Sequence, residues 1–205
     1  MTATIHARNL DHGGAPACLI GGQRSAAEPR LHLLDLDNLH GGPAPALLRV
    51  DEVRSLYDDL IFPDVDLGYV AVNSAPRSLP CTAHARVFRV RQQWRPFTVR
   101  PASGPDGADL RLLDDGGSFL ANVDLADRFH DVVIGSGDRI FSELAYRFRS
   151  AGLTVHLVVE RARNLARPLH DASTGCVWVL EGGGCLRHPH PTSTADRLLR
   201  RPLRW

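Results

Sequence analysis

The segment from Leu31 to Gly42 constrains the fold of this chain most strongly, because an apolar run passes directly into clustered acids and a glycine turn. A buried strand that ends in this way carries its carboxylates to the edge of a sheet. In an open α/β sheet, ligands bind just outside the carboxyl ends of the parallel strands. The segment therefore predicts that Asp35, Asp37 and Asn38 lie where chemistry takes place.

A second apolar run, from Val132 to Asp138, repeats this pattern in the later half of the chain. Carboxylates from two converging strand ends suit a hard divalent cation such as Mg²⁺ or Mn²⁺, which can orient a water molecule toward a phosphodiester. The candidate ligands are Asp35, Asp109 and Asp138, with Asp37, Asp114 and Asp115 in reserve. Each acid also has a simpler interpretation, because acids at strand ends often cap the next helix.

Apolar strands alternate with helical spacing over residues 30–181, which predicts one α/β domain, a three-layer α/β/α sandwich with a mostly parallel sheet. Helices are expected at 47–60, at 75–90 with an interruption at Pro80, at 108–129 with a break at Gly116-Gly117, after 138 and at 161–172. Residues 1–29 are predicted to be a flexible leader, and residues 182–205 a tail rich in Gly, His and Arg.

Composition excludes several classes of protein. The formal net charge of +1 provides no global field for a charged partner, and all 24 basic residues are Arg. Four scattered cysteines do not form a disulfide framework, and no leader of secretory type and no membrane-length apolar run is found. We therefore expect a cytoplasmic protein that does not bind membranes.

Three acidic motifs occur in an order that resembles the NYN domain, a PIN-like nuclease family that includes LabA-type proteins. The first is Leu34 to Leu39, similar to an opening strand followed by D-x-x-N. The second is Gly107 to Leu110, followed by Asp114 and Asp115, and the third is Val132 to Phe141 with its Ser-Gly-Asp. The resemblance covers most of residues 31–180.

This resemblance implies a PIN-like, Rossmann-like fold and a metal-dependent endoribonuclease. It implies that Asp35, Asp109 and Asp138 are the catalytic ligands of Mg²⁺ or Mn²⁺, that Asn38 supports the first acid, and that Ser136 shapes the turn. Asp37 and Asp115 are further candidate ligands. The sequence departs from the family at Ile140, where a second acid is common, so a catalytically weak or inactive RNA-binding module is the alternative.

The stretch from Arg86 to Arg100 combines cations with aromatic residues, as in proteins that bind unpaired RNA. The predicted RNA contacts are Arg89, Arg91, Trp94 and Arg139. The competing interpretation places the aromatic residues in the core and the arginines on a solvated face. RNA is thus the expected partner, and a homodimer is compatible with this prediction.

Three rival motifs are weaker. Asp35 and Asp37 form the D-x-D of haloacid dehalogenase-type phosphatases, with Ser74 at the hydroxyl position, but that family usually uses a Lys and this chain has none. Gly135-Ser136-Gly137 lacks the third glycine of a dinucleotide loop, so no nucleotide cofactor is expected. The donors Cys176, Cys185, His188 and His190 do not have the spacing of a standard zinc site.

Overall fold

The computed structural model describes residues 29–42, 45–58, 67–73, 80–122, 124–181 and 184–187. Its strands are β1 (Arg30–Asp35), β2 (Leu67–Asn73), β3 (Thr98–Ala102), β4 (Asp131–Gly135), β5 (Thr154–Val159), β6 (Val177–Val179) and β7 (Gly184–Arg187). Its helices are α1 (Leu36–Leu39), α2 (Leu47–Asp58), α3 (Pro80–Gln93), α4 (Gly107–Asn122), α5 (Leu125–Arg128), α6 (Ser142–Ser150) and α7 (Arg167–Ala172). Short 3₁₀ helices lie at Arg139–Phe141 and Ala162–Asn164.

The strands form one sheet in the order β3-β2-β1-β4-β5-β6-β7. The first six run parallel, and β7 pairs with β6 in the antiparallel direction. The order of the first six strands is that of a doubly wound sheet, whose direction of winding reverses between β1 and β4. The predicted α/β class with a mostly parallel sheet is confirmed.

Alternating side chains of the central strands supply two separate cores. In β1, Leu31 and Leu33 belong to one core, whereas Leu34 belongs to the other. Residues of α4, α6 and α7 complete the first core, and residues of α1, α2 and α3 complete the second. Burial on both faces explains why these strands are almost continuously apolar, and the predicted three layers are confirmed.

Two predicted boundaries are wrong. Helix α4 runs through Gly116 without a break. A Cβ at Gly116 would lie 2.7 Å from Leu144 and 3.1 Å from Leu33, so the glycine permits close packing of this helix. Pro80 is the first residue of α3, a position where its missing N–H costs nothing, and the predicted helical residues before it lie outside the described ranges. Residues 184–187 form β7 although they were predicted to belong to the tail.

Other predictions concern residues outside the described ranges. These include the leader up to residue 28, Ser74, and the tail from residue 188 with its two histidines. In the described part of the chain, no helix combines the length and the apolarity needed to cross a membrane.

Strand β3 lies at the outer side of the sheet and contains Pro101, which stands opposite Val72 of β2. Proline is tolerated in a sheet mainly on an edge strand. The position of Pro101 therefore agrees with the place of β3 at the edge of the sheet that the described residues form.

Candidate functional site

A cleft of about 540 Å³ opens at the carboxyl ends of the parallel strands. The glycine turn after α1 and the loop before α4 form part of its wall. Its polar side chains come from the ends of β1, β2 and β5 and from the start of α4; they are Asp35, Asp37, Asn38, Asn73, Asp106, Asp109, Glu160, Arg161 and Asn164. The predicted location of the site at this edge of the sheet thus coincides with a cleft.

Asp35 ends β1 and also caps α1. Its Oδ1 accepts the backbone N–H of Asp37 at 3.0 Å and that of Asn38 at 3.2 Å, and only 3% of the residue is exposed. Its carboxyl group is hydrogen-bonded to that of Asp109. Burial raises the pKa of Asp35 well above its ordinary value, and the neighbouring charge of Asp109 raises it further.

Asp109 lies in the first turn of α4, and its carboxyl group lies beside that of Asp35. Burial raises the pKa of Asp109, the charges of Asp138 and Asp106 add to this, and the hydrogen bond from Asp35 lowers it. The Oδ1 atom of Asp109 is buried and accepts no hydrogen bond from an N–H or hydroxyl group of the described residues. Two carboxyl groups in such contact titrate as a pair and share a proton when no cation is near.

Asp138 lies close enough to influence Asp109 but is exposed and is not part of the cleft wall. Its side chain accepts the backbone N–H of Ile140 at 3.0 Å, so it caps the 3₁₀ helix that follows. The predicted capping role of this residue is therefore present in the structure. Buried Ser136 accepts the N–H of Asp138 at 3.2 Å, which agrees with its predicted role in shaping the turn.

Asn38 connects the two central strand ends. Its backbone supports Asp35, whereas its side-chain Oδ1 accepts the N–H of Gly137 at 3.1 Å. The loop after β1 is thereby joined to the loop after β4, across the reversal point of the sheet. Asn38 thus supports the first acid as predicted, but through its main chain.

Among the described residues, no group of three or more His, Cys, Asp and Glu is arranged to hold a metal ion. Asp35 and Asp109 meet, while Asp138 stands apart as a cap. The three reserve ligands do not join them. Asp114 is exposed and does not line the cleft. Both oxygens of Asp37 accept the N–H of Asn73, at 3.0 and 3.3 Å. Asp115 lies outside the cleft and forms ion pairs with Arg100 at 3.2 Å and Arg111 at 3.5 Å.

Sequence reasoning missed the residues that follow β5. Buried Glu160 accepts hydrogen bonds from Arg49 at 3.0 Å and from Asn164 at 3.2 Å. Arg161 lines the same part of the cleft and forms an ion pair with Glu181 at 3.1 Å. Both residues directly follow an apolar run, so the strand-end rule that selected Asp35 also applies to them.

The four predicted RNA contacts differ in their exposure and in their partners. The prediction for Trp94 is wrong, because its ring is fully buried beside Tyr57 and Phe97 and no base can stack on it. Arg89 makes two hydrogen bonds to Asp51, at 2.9 and 2.6 Å. Of the predicted contacts, the two that are exposed are Arg91 and Arg139.

Replacement of Gly137 by Ala should destabilise the protein, because the new Cβ would lie 2.2 Å from the carbonyl oxygen of Asn164. The Gly137 carbonyl also accepts the N–H of Ala166 at 2.8 Å, so the loop cannot easily move away. We expect a loss of about 1–3 kcal/mol in the free energy of unfolding, measured by urea denaturation. Gly117→Ala is the control, since its Cβ would meet only the end of Arg147 at 4.0 Å. Equal effects of the two substitutions would contradict this close packing.

Comparison with solved structures finds a likeness to a protein of similar fold. A crystal structure of a protein of unknown function from Vibrio parahaemolyticus RIMD 2210633 is 17% identical in sequence, with a TM-score of 0.48. The match covers 77% of this chain and 94% of that chain. No protein-family model and no curated protein matches the sequence. These comparisons assign no family.

Proposed function

We propose that this protein is a metal-dependent ribonuclease of the NYN, PIN-like type that hydrolyses phosphodiester bonds in RNA. The observation that supports this most is the contact between the buried carboxyl group of Asp35 and the half-buried carboxyl group of Asp109 in a polar cleft. The three acidic motifs of the sequence add to it, because two of them supply these acids and the third supplies Asp138 nearby.

The chemistry of the two acids that meet suits a hard divalent cation. Asp35 and Asp109 offer only oxygen ligands, and their mutual repulsion opposes ionisation. Asp109 Oδ1 accepts no hydrogen bond from an N–H or hydroxyl group of the described residues. A cation would offset that repulsion, and carboxylates are the ligands that Mg²⁺ and Mn²⁺ prefer. Asp35 and Asp109 would hold the ion, with Asp138 as the third candidate.

When bound there, Mg²⁺ or Mn²⁺ would activate a water molecule and offset negative charge on the phosphate. The chain itself fixes the acids: two backbone N–H groups orient Asp35, and the bond from Gly137 to Asn38 holds the two strand ends together. Arg161 is a cation on a wall otherwise rich in acids. We assign it the role of positioning a phosphate of the substrate, since a guanidinium can donate two parallel hydrogen bonds to phosphate oxygens.

The test is cleavage of labelled single-stranded RNA by the purified protein with Mn²⁺, with Mg²⁺ and with EDTA. Cutting that requires either ion supports the proposal, and single-stranded DNA in parallel shows whether the 2′-hydroxyl is needed. RNA binding without cutting would instead favour the regulatory module. That second candidate is supported by the exposed Asp138 and by the absence of a three-acid group among the described residues.

A phosphatase of the haloacid dehalogenase type receives less support. Its mechanism would need Asp37 as a free acid and base, whereas both oxygens of Asp37 accept the N–H of Asn73. Hydrolysis of p-nitrophenyl phosphate, with no cutting of RNA, would restore this alternative.

The substitution Asp138→Asn tests whether Asp138 is a metal ligand or only a helix cap. Asparagine keeps the oxygen that accepts the N–H of Ile140, so we expect the free energy of unfolding to stay within about 0.5 kcal/mol of wild type. RNA cleavage should nevertheless fall by about 10-fold or more, because the negative charge near Asp109 is lost. Unchanged cleavage would show that Asp138 serves only as a cap.

A further inference from the structure

Helix α3 presents an exposed phenylalanine beside two arginines that form no ion pair with another described residue. Phe88 is 63% exposed, and Arg91, Gln92 and Arg95 are also exposed. With about 100° of rotation per residue, these four positions form one stripe along the helix and its final turn. Val87, Val90 and Trp94 lie on the opposite side and are buried, which confirms the direction of the stripe.

The arginines of this stripe differ from their neighbours. On the adjacent α2, the three acidic residues already have partners: Asp51 pairs with Arg89, Glu52 with Arg49 and Asp58 with Arg54, at 2.6, 2.8 and 2.7 Å. Within the described residues, Arg91 and Arg95 have no ion-pair partner. The described residues around Phe88 therefore keep a net positive charge.

We infer that the stripe of Phe88, Arg91 and Arg95 is a binding surface for single-stranded RNA outside the acidic cleft. An exposed aromatic ring offers a face on which a base can stack without regard to sequence, while neighbouring arginines bind the flanking phosphates. The positive charge of the stripe attracts RNA, which is a polyanion. The cleft alone attracts RNA less, because its walls carry the acids Asp35, Asp37, Asp106, Asp109 and Glu160. The inference deepens the proposed function, because it assumes that the RNA bound here is the RNA cleaved in the cleft.

The stripe lies away from the cleft. Helix α3 precedes β3, so its last turns lie near the amino ends of the strands, and Phe88 is about 12 Å along the helix axis from Pro80. A short oligonucleotide that fills the cleft would not reach Phe88. The contribution of Phe88 should therefore depend on RNA length, whereas that of Asp35 should not.

The experiment measures RNA affinity by fluorescence anisotropy in the Asp35→Asn background, with oligonucleotides of about 4 and about 16 nucleotides, the span of site sizes in compact single-strand-binding folds. We expect Phe88→Ala to weaken binding of the longer RNA by about 5-fold to 100-fold, Phe88→Tyr to retain affinity, and the shorter RNA to be unaffected. Arg91→Ala should reduce the slope of log affinity against log salt by about one.

Two matched controls show whether the loss of RNA affinity is specific to this surface. They remove an exposed apolar side chain and an exposed positive charge elsewhere on the protein. Leu48→Ala removes a side chain that is 81% exposed on α2, and Arg149→Ala removes an exposed arginine from α6. If these controls weaken RNA binding as much as Phe88→Ala and Arg91→Ala, the inference is wrong. It is equally wrong if Phe88→Ala changes only the oligomeric state in size-exclusion chromatography, since the stripe would then bind protein.

The outcome also separates this inference from the proposed function. Loss of long-RNA binding in Phe88→Ala, with no cleavage by wild type under any metal condition, would support the surface and refute the nuclease. Metal-dependent cleavage with unchanged affinity in Phe88→Ala would refute the surface alone. Absence of any RNA binding by wild type would overturn both.

Discussion

Asp35→Asn and Asp109→Asn are each expected to reduce metal-dependent RNA cleavage by about 100-fold or more, because each removes one of two carboxylates that meet in the cleft. Asparagine keeps the size of the side chain and leaves an oxygen at position 35 to accept the N–H groups of Asp37 and Asn38. The local fold should therefore persist while the charge is lost. Initial rates on labelled RNA in Mn²⁺ and Mg²⁺ give the comparison.

Asp114→Asn is the matched control for this result. Asp114 is exposed on the same helix as Asp109 and does not line the cleft, so the substitution removes an equal charge without changing the acid pair. Its cleavage rate should stay within about two-fold of wild type. If Asp35→Asn retains full activity while Asp114→Asn behaves normally, the catalytic acids lie elsewhere.

Asp35→Asn should also stabilise the protein at neutral pH when metal is removed. Both acids have a pKa above the ordinary value, so the folded state holds protons that the unfolded chain has released. Their contribution to stability is present below about pH 3.9 and is lost as pH rises through the raised pKa values. The amide group that this substitution introduces stays neutral and can donate a hydrogen bond to Asp109, which removes the repulsion.

We expect the free energy of unfolding of this variant in EDTA at pH 7 to exceed that of wild type by about 1–2 kcal/mol, or about 3–6 °C in the melting temperature. The difference should shrink as pH falls toward 4. Adding Mn²⁺ at about 100 times its dissociation constant should stabilise wild type by about 2.7 kcal/mol and leave the variant unchanged. A variant less stable than wild type in EDTA would mean that the acid pair is not under repulsion.

The fold was largely predictable because parallel strands buried on both faces are almost continuously apolar. Runs such as Val155 to Val159, interrupted only by His156, stand out for that reason, and helices of the right length lie between them. The break predicted at Gly116 failed because local propensity was outweighed by tertiary packing against Leu144. Strand β7 could not be foreseen, since its place depends on the free edge of β6 rather than on its own sequence.

The candidate site was partly predictable for a related reason. Strand ends converge by topology, so Asp35 could be placed, and Asp109 met it from the start of α4. Asp115 lies six residues further along that helix, about 120° around its axis, and therefore could not share the same side. Both residues precede the break predicted at Gly116-Gly117, so this separation follows from the predicted helix itself.

The sequence predicted Trp94 as the aromatic residue that contacts RNA, whereas the structure buries Trp94 and exposes Phe88. The difference again comes from the positions of residues around a helix axis. Both residues belong to one short stretch of cations and aromatics, and composition does not distinguish its two faces. The phase of α3 does: it directs Trp94 into the core and Phe88 toward solvent. A stretch of this kind can be interpreted only after the buried side of its helix is known.

Pro101 leaves one residue of β3 without an N–H donor, and among the described residues β3 pairs with β2 alone. Edge strands that offer every donor are templates for strands of other molecules, and this is a common origin of aggregation. A proline in an edge strand hinders such pairing, so β3 is a poor template. This edge of the sheet should therefore not grow from one molecule to the next at high protein concentration.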